Sequence, residues 1–141
     1  MNKQYYISEA KRAASIQINE LKKIKKIFNK SFIKAVDLIL NCKGKIIFAG
    51  IGKSGLIARK ISATFSSVGI PSFFCDPAQA LHGDMGQIEK KDILIIFSYS
   101  GNTSELTNMI KYANRYNIKI IGIASKPDSI LLKASDIKLI L

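Results

Sequence analysis

The chain has 141 residues, of which 48% are hydrophobic and 23% are charged. These values are typical of one globular domain that is long enough to bury a core. No apolar run approaches the roughly 20 residues that span a bilayer, and the first residues lack the apolar segment of a signal peptide. We therefore expect a cytoplasmic protein without a membrane segment.

The formal net charge is +12, and 19 of the 22 basic residues are lysine. Residues 1–45 alone carry 11 basic and 3 acidic side chains, a pattern typical of a solvated basic helical face. Readers of nucleic acid depend on arginine for base contacts, and the chain has three arginines, so no nucleic-acid partner is predicted. An anionic small molecule is compatible with this charge.

Apolar residues recur at three- and four-residue steps through residues 8–42, which predicts helix, with Ser31 as the N-cap of a second helix. From Lys45 onward, short apolar runs alternate with helical patterns. The predicted strands are residues 46–49, 72–75, 93–97, 118–124 and 137–141. The predicted helices between them are residues 56–68, 103–116 and 128–134. This alternation predicts a parallel sheet with helices on both faces, preceded by an N-terminal helical segment over 1–44.

The chain has two cysteines, Cys42 and Cys75, and a single histidine, His82. A zinc site needs three or four ligands, and these residues do not supply a set at ligand spacing. We predict two reduced thiols and no metal site.

The first predicted strand leads into Gly50-Ile51-Gly52-Lys53-Ser54-Gly55. This matches the G-x-G-x-x-G pattern of dinucleotide sites, with Asp76 at about the spacing of a ribose ligand. The match to a Walker A loop fails because position 47 is isoleucine rather than glycine. A simpler interpretation is a glycine-rich turn whose N–H groups bind an anion beside Lys53. A tight turn without a ligand is the remaining alternative.

The third strand ends in Ser98-Tyr99-Ser100-Gly101-Asn102-Thr103-Ser104-Glu105. Hydroxyl groups at 98 and 100, a turn at Gly101 and a predicted helix cap at Thr103 form a second candidate anion site. Glu105 is predicted one turn inside the next helix, where a carboxylate could serve chemistry or only complement the helix dipole. His82 lies in the long loop 76–87, at the sheet edge where α/β proteins bind ligands.

Taken in this order, the GIGKSG turn, the HGDMG loop and the SYSGNTSE turn resemble the sugar isomerase (SIS) domain. Residues 50–86 are similar, more narrowly, to D-arabinose 5-phosphate isomerases. The resemblance implies a flavodoxin-like three-layer α/β/α sandwich with five parallel strands. It also implies a homotetramer with active sites built across subunits. The activity implied is interconversion of D-ribulose 5-phosphate and D-arabinose 5-phosphate for Kdo, lipopolysaccharide or capsule synthesis, without a cofactor.

The same resemblance assigns roles to individual residues. Lys53, His82 and Glu105 match the family's active-site lysine, loop histidine and glutamate. The sugar phosphate is expected to contact the two turns, at Gly52, Ser54, Ser98, Ser100, Gly101, Asn102 and Thr103. An enediol mechanism needs a base near carbon and an acid near oxygen, which Glu105 and His82 can provide.

The likeness also has a boundary. Family members continue beyond the last strand into a helical segment with a second active-site histidine in an HPGG-type motif, and many carry two CBS domains. Nothing up to Leu141 corresponds to these parts. Alternatives to an isomerase are therefore a non-catalytic sugar-phosphate-binding module, an inactive truncated remnant and a nucleotide-binding Rossmann domain.

Overall fold

The computed structural model describes residues 3–141, so the first two residues of the predicted N-terminal segment lie outside the described range. The five helices of this range are α1 Lys3–Lys23, α2 Lys30–Leu40, α3 Gly52–Ser67, α4 Leu106–Arg115 and α5 Ile130–Ala134. The five strands are β1 Ile46–Gly50, β2 Ser72–Cys75, β3 Ile93–Phe97, β4 Lys119–Ala124 and β5 Ile137–Ile140. Three short 3₁₀ turns lie at Ile24–Ile27, Ala80–His82 and Asp84–Gln87.

All five strands are parallel and pair in the order β2-β1-β3-β4-β5. The chain steps outward from β1 to β2 and then returns to the other side of β1 for β3. This reversal is the switch point of a flavodoxin-like sheet, and ligands of such sheets bind beside it at the carboxyl ends of the strands. The predicted fold class is confirmed.

Two apolar layers cover the sheet, because the period-two alternation of β1 and β3 sends side chains to both faces. Ile46 and Phe48 pack with α2 and α3 on one face, around Ala35 and Ala58. On the other face, the sheet residues pack against α4 and α5. This cluster includes Ile47, Ala49, Leu94 and Ile96 from the sheet, Leu106 and Met109 from α4 and Leu132 from α5. The result is the predicted three-layer sandwich.

Several helix starts differ from the prediction. Asn29, not Ser31, caps α2, because its Oδ1 accepts a 2.8 Å hydrogen bond from the Ser31 N–H. The helix predicted from residue 56 begins at Gly52, so the glycine-rich turn already belongs to the first turn of α3. The helix predicted from Thr103 begins at Leu106, and the one predicted from residue 128 begins at Ile130, with Ser129 as its cap.

The two N-terminal helices differ in how they pack. α2 buries Ala35 against the sheet. α1 buries none of its 21 residues, and Tyr5, Ile16 and Leu21 on it are each half or more exposed. In the single chain, therefore, α1 contributes little to the core. Within residues 3–141, no helix is both long enough and apolar enough to cross a membrane.

Asp136 joins the starting ends of β4 and β5. Its Oδ2 accepts a 2.9 Å hydrogen bond from the Ile120 N–H, and its Oδ1 lies 2.6 Å from the Lys119 Nζ. Partial burial would raise the pKa of this carboxyl, but these two contacts outweigh burial and lower the pKa from its ordinary value of 3.8. A lowered folded-state pKa stabilises the fold above the unfolded pKa and loses that effect as the pH falls through the folded pKa.

Asp136→Asn is therefore expected to lower the free energy of unfolding by about 1 kcal/mol at pH 7, a value reduced for the exposure of the ion pair. Urea unfolding at pH 7, 5 and 3.5 checks this. The difference between the two proteins should persist at pH 5 and begin to shrink once the pH falls below about 3.8, where the carboxyl of the unfolded chain takes up a proton while that of the folded protein stays ionised. An equal difference at all three pH values would contradict this account.

Candidate active site

A cavity of about 320 Å³ opens at the carboxyl ends of β1 and β3, at the switch point of the sheet. It is lined by Ile51, Lys53, Ser54, Phe97, Ser98, Tyr99, Ser100 and Thr103. Lys53 is the one basic side chain in this lining, and four of the lining residues carry an aliphatic hydroxyl. A positive charge surrounded by hydroxyl donors suits an anionic ligand.

The first wall is the start of α3. The first α-helical hydrogen bond here runs from the Gly55 N–H to the Ile51 carbonyl, at 3.3 Å. The N–H groups of Gly52, Lys53 and Ser54 precede this bond, so they have no partner within the helix. They carry the positive end of the dipole of a 16-residue helix. The anion-binding interpretation of this turn therefore rests on free N–H groups at a helix start.

Two glycines allow α3 to start so close to the end of β1. A Cβ atom added to Gly55 would lie 2.6 Å from the Gly50 carbonyl oxygen. A Cβ added to Gly50 would lie 2.9 Å from the Ser54 carbonyl carbon. Both contacts are with backbone, which cannot swing aside. The turn thus requires glycine at both positions, because the backbones of β1 and α3 pack directly against each other there.

The second wall is the turn that follows β3. The hydroxyl oxygens of Ser98 and Thr103 lie 2.9 Å apart in a hydrogen bond, and the Gly101 N–H donates to the Ser98 Oγ at 3.0 Å. Ser98 is buried, whereas Ser100 and Thr103 are half-buried. Thr103 does not cap α4, contrary to the prediction, because its hydroxyl is bonded within the turn. The turn is therefore held by its own side chains.

Gly101 and Asn102 shape this turn without lining the cavity. Gly101 has φ +67°, and a Cβ added to it would lie 2.2 Å from the Ser129 Oγ. The Asn102 Oδ1 accepts a 2.9 Å hydrogen bond from the Ile130 N–H at the start of α5. These contacts fasten the turn to α5. Gly52 likewise lies beside the cavity lining, with φ +56° and open space where a Cβ would be.

Glu105 stands immediately before α4, at the N-cap position, rather than one turn inside the helix as predicted. Its Oε2 accepts a 2.7 Å hydrogen bond from the Ser104 hydroxyl. That bond, together with one from the Glu105 backbone, lowers the pKa of this exposed carboxyl from its ordinary value. The carboxylate is thus held ionised near neutral pH, but in the single chain it lies outside the cavity lining.

His82 ends the 3₁₀ turn Ala80–His82 and is exposed, also outside the cavity lining. In the same region Cys75 is buried at the end of β2. Its burial, followed by the charges of Asp84 and Asp76, raises the pKa of this thiol to about 11. Cys42 is also a free thiol, although half-buried. Residues 3–141 contain no group of three or more histidine, cysteine or acidic side chains placed to hold a metal ion.

The cavity thus brings together five of the predicted site residues, namely Lys53, Ser54, Ser98, Ser100 and Thr103. Glu105 and His82 lie outside the cavity lining. The lining also excludes Gly52, Gly101 and Asn102, which belong to the two turns that form the cavity walls. Three lining residues were not predicted: Ile51, Phe97 and Tyr99. Each of the three is next in sequence to a predicted site residue. Their position beside the motifs could therefore have identified them as lining residues.

Known proteins resemble this chain along most of its length. It is 37% identical over 134 residues to arabinose 5-phosphate isomerase KdsD of Pseudomonas aeruginosa, covering 95% of this chain and 41% of that protein. The chain spans about two fifths of the length of the curated relatives that it matches.

Two solved structures have the same fold over nearly the whole chain. A protein from Listeria monocytogenes superposes with a TM-score of 0.93 at 34% identity, covering 97% of this chain and 72% of that one. An Escherichia coli CFT073 protein in complex with arabinose 5-phosphate superposes with a TM-score of 0.87 at 34% identity, covering 99% and 74%. The SIS domain family model matches residues 39–141, which include both turns of the cavity. The chain therefore belongs to the SIS domain family.

Proposed function

We propose that the chain is an aldose–ketose isomerase domain that interconverts D-ribulose 5-phosphate and D-arabinose 5-phosphate through an enediol. The observation that carries the proposal is the cavity at the switch point of the sheet, where Lys53 meets free helix N–H groups and the hydroxyls of the β3 turn. The similarity to proteins named arabinose 5-phosphate isomerase, and to the structure that holds arabinose 5-phosphate, supports this choice of substrate.

In this proposal the phosphate group is the part of the substrate that the cavity holds. The dianion would accept hydrogen bonds from the N–H groups at the start of α3 and from the hydroxyls of Ser98, Ser100 and Thr103. Lys53 would contribute the positive charge. Because the phosphate takes no part in bond changes, its binding energy serves to fix the reacting carbons in position.

The reaction moves protons and needs no change of oxidation state in a cofactor. A base removes a proton from C1 of the ketose while an acid protonates O2, giving the 1,2-enediol. Loss of the O1 proton and protonation at C2 then give the aldose. Glu105 is the proposed base because a glutamate carboxylate is ionised at neutral pH and can accept a proton from carbon. The lowered pKa makes it a weaker base than an ordinary glutamate. His82 suits proton transfer at the oxygens, and Lys53 the stabilisation of the developing oxyanion.

Assembly into a homo-oligomer is part of the same proposal. A compact monomer of 15.6 kDa exposes about 7,200 Å², whereas this chain exposes 9184 Å². The excess of about 1,900 Å² per chain exceeds the area per partner in a standard interface. None of the residues of α1 is buried, although its apolar residues cover more than half of the helix circumference.

Light scattering after size-exclusion chromatography should therefore give a mass of at least twice 15.6 kDa. Ile18→Lys, on the exposed side of α1, is expected to shift the population toward monomer because it places a charge in the apolar contact. Asn19→Lys, which adds the same charge on the polar side of the same helix, is the matched control. A wild-type chain that stays monomeric at tens of micromolar would contradict this part of the proposal.

The product of the isomerase would feed Kdo synthesis for lipopolysaccharide or capsule in the cytoplasm, as the resemblance implies. The second candidate is a sugar-phosphate-binding module without turnover, or an inactive remnant. One observation favours it: Glu105 and His82, the two residues proposed for proton transfer, lie outside the cavity lining of the single chain.

Incubation of the purified chain with D-ribulose 5-phosphate in D₂O, followed by proton NMR, separates these candidates. Appearance of D-arabinose 5-phosphate above the rate in protein-free buffer would support the isomerase. Deuterium entry at C1 without product would mean that the proton step survives and that turnover lacks a partner group. A folded chain that binds sugar phosphate and yields neither signal would be the binding module.

A further inference from the structure

Tyr99 lies between two concave surfaces of the described part of the chain. It lines the 320 Å³ cavity, and it also lines a larger groove of about 940 Å³ that runs beside α1 and the end of β5. Among residues 3–141 no other residue lines both. The residue is 75% exposed, and the proton transfers and phosphate contacts described above do not use it.

The backbone at Tyr99 is fixed even though the ring is not packed. Its carbonyl oxygen accepts a 2.9 Å hydrogen bond from the Ser125 N–H and a 2.7 Å hydrogen bond from the Ser125 Oγ. The preceding residue is held as well, because the Ser98 N–H donates to the Ile123 carbonyl at 3.0 Å. The ring therefore projects from a rigid point at the end of β3 and is free to rotate only about its own side-chain bonds.

Resting on the proposed function, we propose that Tyr99 positions the sugar portion of the bound sugar phosphate and so determines which phosphate esters the cavity accepts. The polar groups of the β3 turn that would hold the phosphate flank Tyr99 on both sides, at Ser98 and Ser100. We place the carbon chain attached to that phosphate against Tyr99, which is exposed and lines both the cavity and the groove beside it. The aromatic face then covers C–H groups, and the phenol hydroxyl can bond a sugar hydroxyl.

The other large apolar residues of the cavity lining, Ile51 and Phe97, are less available to a ligand than Tyr99. Ile51 and Phe97 are only partly exposed and pack against the two core layers, so they are committed to the fold. Tyr99 is the large side chain of the cavity lining that remains available to a ligand. Inorganic phosphate, which has no carbon chain, would not reach the ring.

The test is isothermal titration of the full chain with inorganic phosphate and, separately, with D-arabinose 5-phosphate. Tyr99→Ala is expected to weaken binding of the sugar phosphate about tenfold and to leave binding of inorganic phosphate within about twofold of wild type. Tyr99→Phe should retain most of the affinity, because it keeps the ring. Lys53→Gln should weaken both ligands, since it removes the charge that faces the phosphate. Tyr116→Ala, at another exposed tyrosine, is the matched control.

The outcomes separate the two proposals. Equal loss of both ligands in Tyr99→Ala, or no loss of either, would overturn the role of Tyr99 while leaving phosphate binding intact in the wild type. A wild-type chain that binds neither ligand would instead overturn the proposed function, and the role of Tyr99 with it. Far-ultraviolet circular dichroism and the thermal unfolding midpoint of each variant exclude misfolding as the cause of a loss.

Discussion

Replacing Glu105 by glutamine is expected to slow deuterium entry into D-ribulose 5-phosphate at C1 by at least about 100-fold, the usual contribution of a general base. Glutamine keeps the size of the side chain and can still accept the hydrogen bond from the Ser104 hydroxyl, but it cannot take a proton from carbon. Binding of the sugar phosphate should remain within about threefold of wild type, because the phosphate contacts lie elsewhere.

Glu89→Gln is the matched control. Glu89 is also exposed with a lowered pKa, caused by hydrogen bonds from Lys91 and Lys45, but it lies before β3, at the opposite edge of the sheet from the cavity. Exchange should be unchanged in this variant. If Glu105→Gln lost exchange and sugar-phosphate binding together, the role of Glu105 would be structural, at the start of α4.

Gly101→Ala is expected to lower the free energy of unfolding by about 3 kcal/mol, which corresponds to a fall of about 10 °C in Tm for a chain of this size. One part of the loss is the positive φ of +67°, which costs an alanine about 1 kcal/mol. The larger part is steric, since the new Cβ would lie 2.2 Å from the Ser129 Oγ and 2.4 Å from the Ser129 Cβ. Differential scanning calorimetry measures the change in Tm.

Gly52→Ala provides the control, because Gly52 has a similar φ of +56° but no atom within 4 Å of the added Cβ. It should lose about 1 kcal/mol, the backbone part alone. A second check is the double variant Gly101→Ala with Ser129→Gly. Removing the obstructing side chain should make the double variant more stable than the sum of the single effects. Equal losses in Gly101→Ala and Gly52→Ala would refute the steric explanation.

The sheet was predictable because its strands are short and almost wholly apolar. Runs such as residues 93–97 can hardly be anything other than buried strands once helical patterns separate them. Helix starts were harder to predict. Gly52, Lys53 and Ser54 resemble a loop by composition, yet they form the first turn of α3 because β1 ends directly against it. Thr103 resembles a helix cap, but its hydroxyl forms a hydrogen bond with the Ser98 hydroxyl across the turn. Secondary-structure propensity does not predict such a side-chain contact.

The site residues that directly follow the strands were predictable from the sequence, and those farther from the strand ends were less so. Lys53 and Ser98 follow or end buried strands, and parallel topology brings such positions to one edge. The location of Glu105 and His82 relative to the cavity depends on how a helix start and a 12-residue loop pack, which local pattern does not determine. Tyr99 was missed because the sequence pattern says nothing about whether a side chain next to two serines packs inward or stays exposed.

The close approach of Gly50 and Gly55 has a consequence for how a ligand is captured. Because the backbones of β1 and α3 leave no room for a Cβ atom between them, the donors at the start of α3 point in their final directions before any anion arrives. Binding then needs little ordering of the chain, so the entropic penalty falls mainly on the ligand. An encounter guided by a net charge of +12 would find a receptor that is already assembled, and its rate would fall with rising ionic strength.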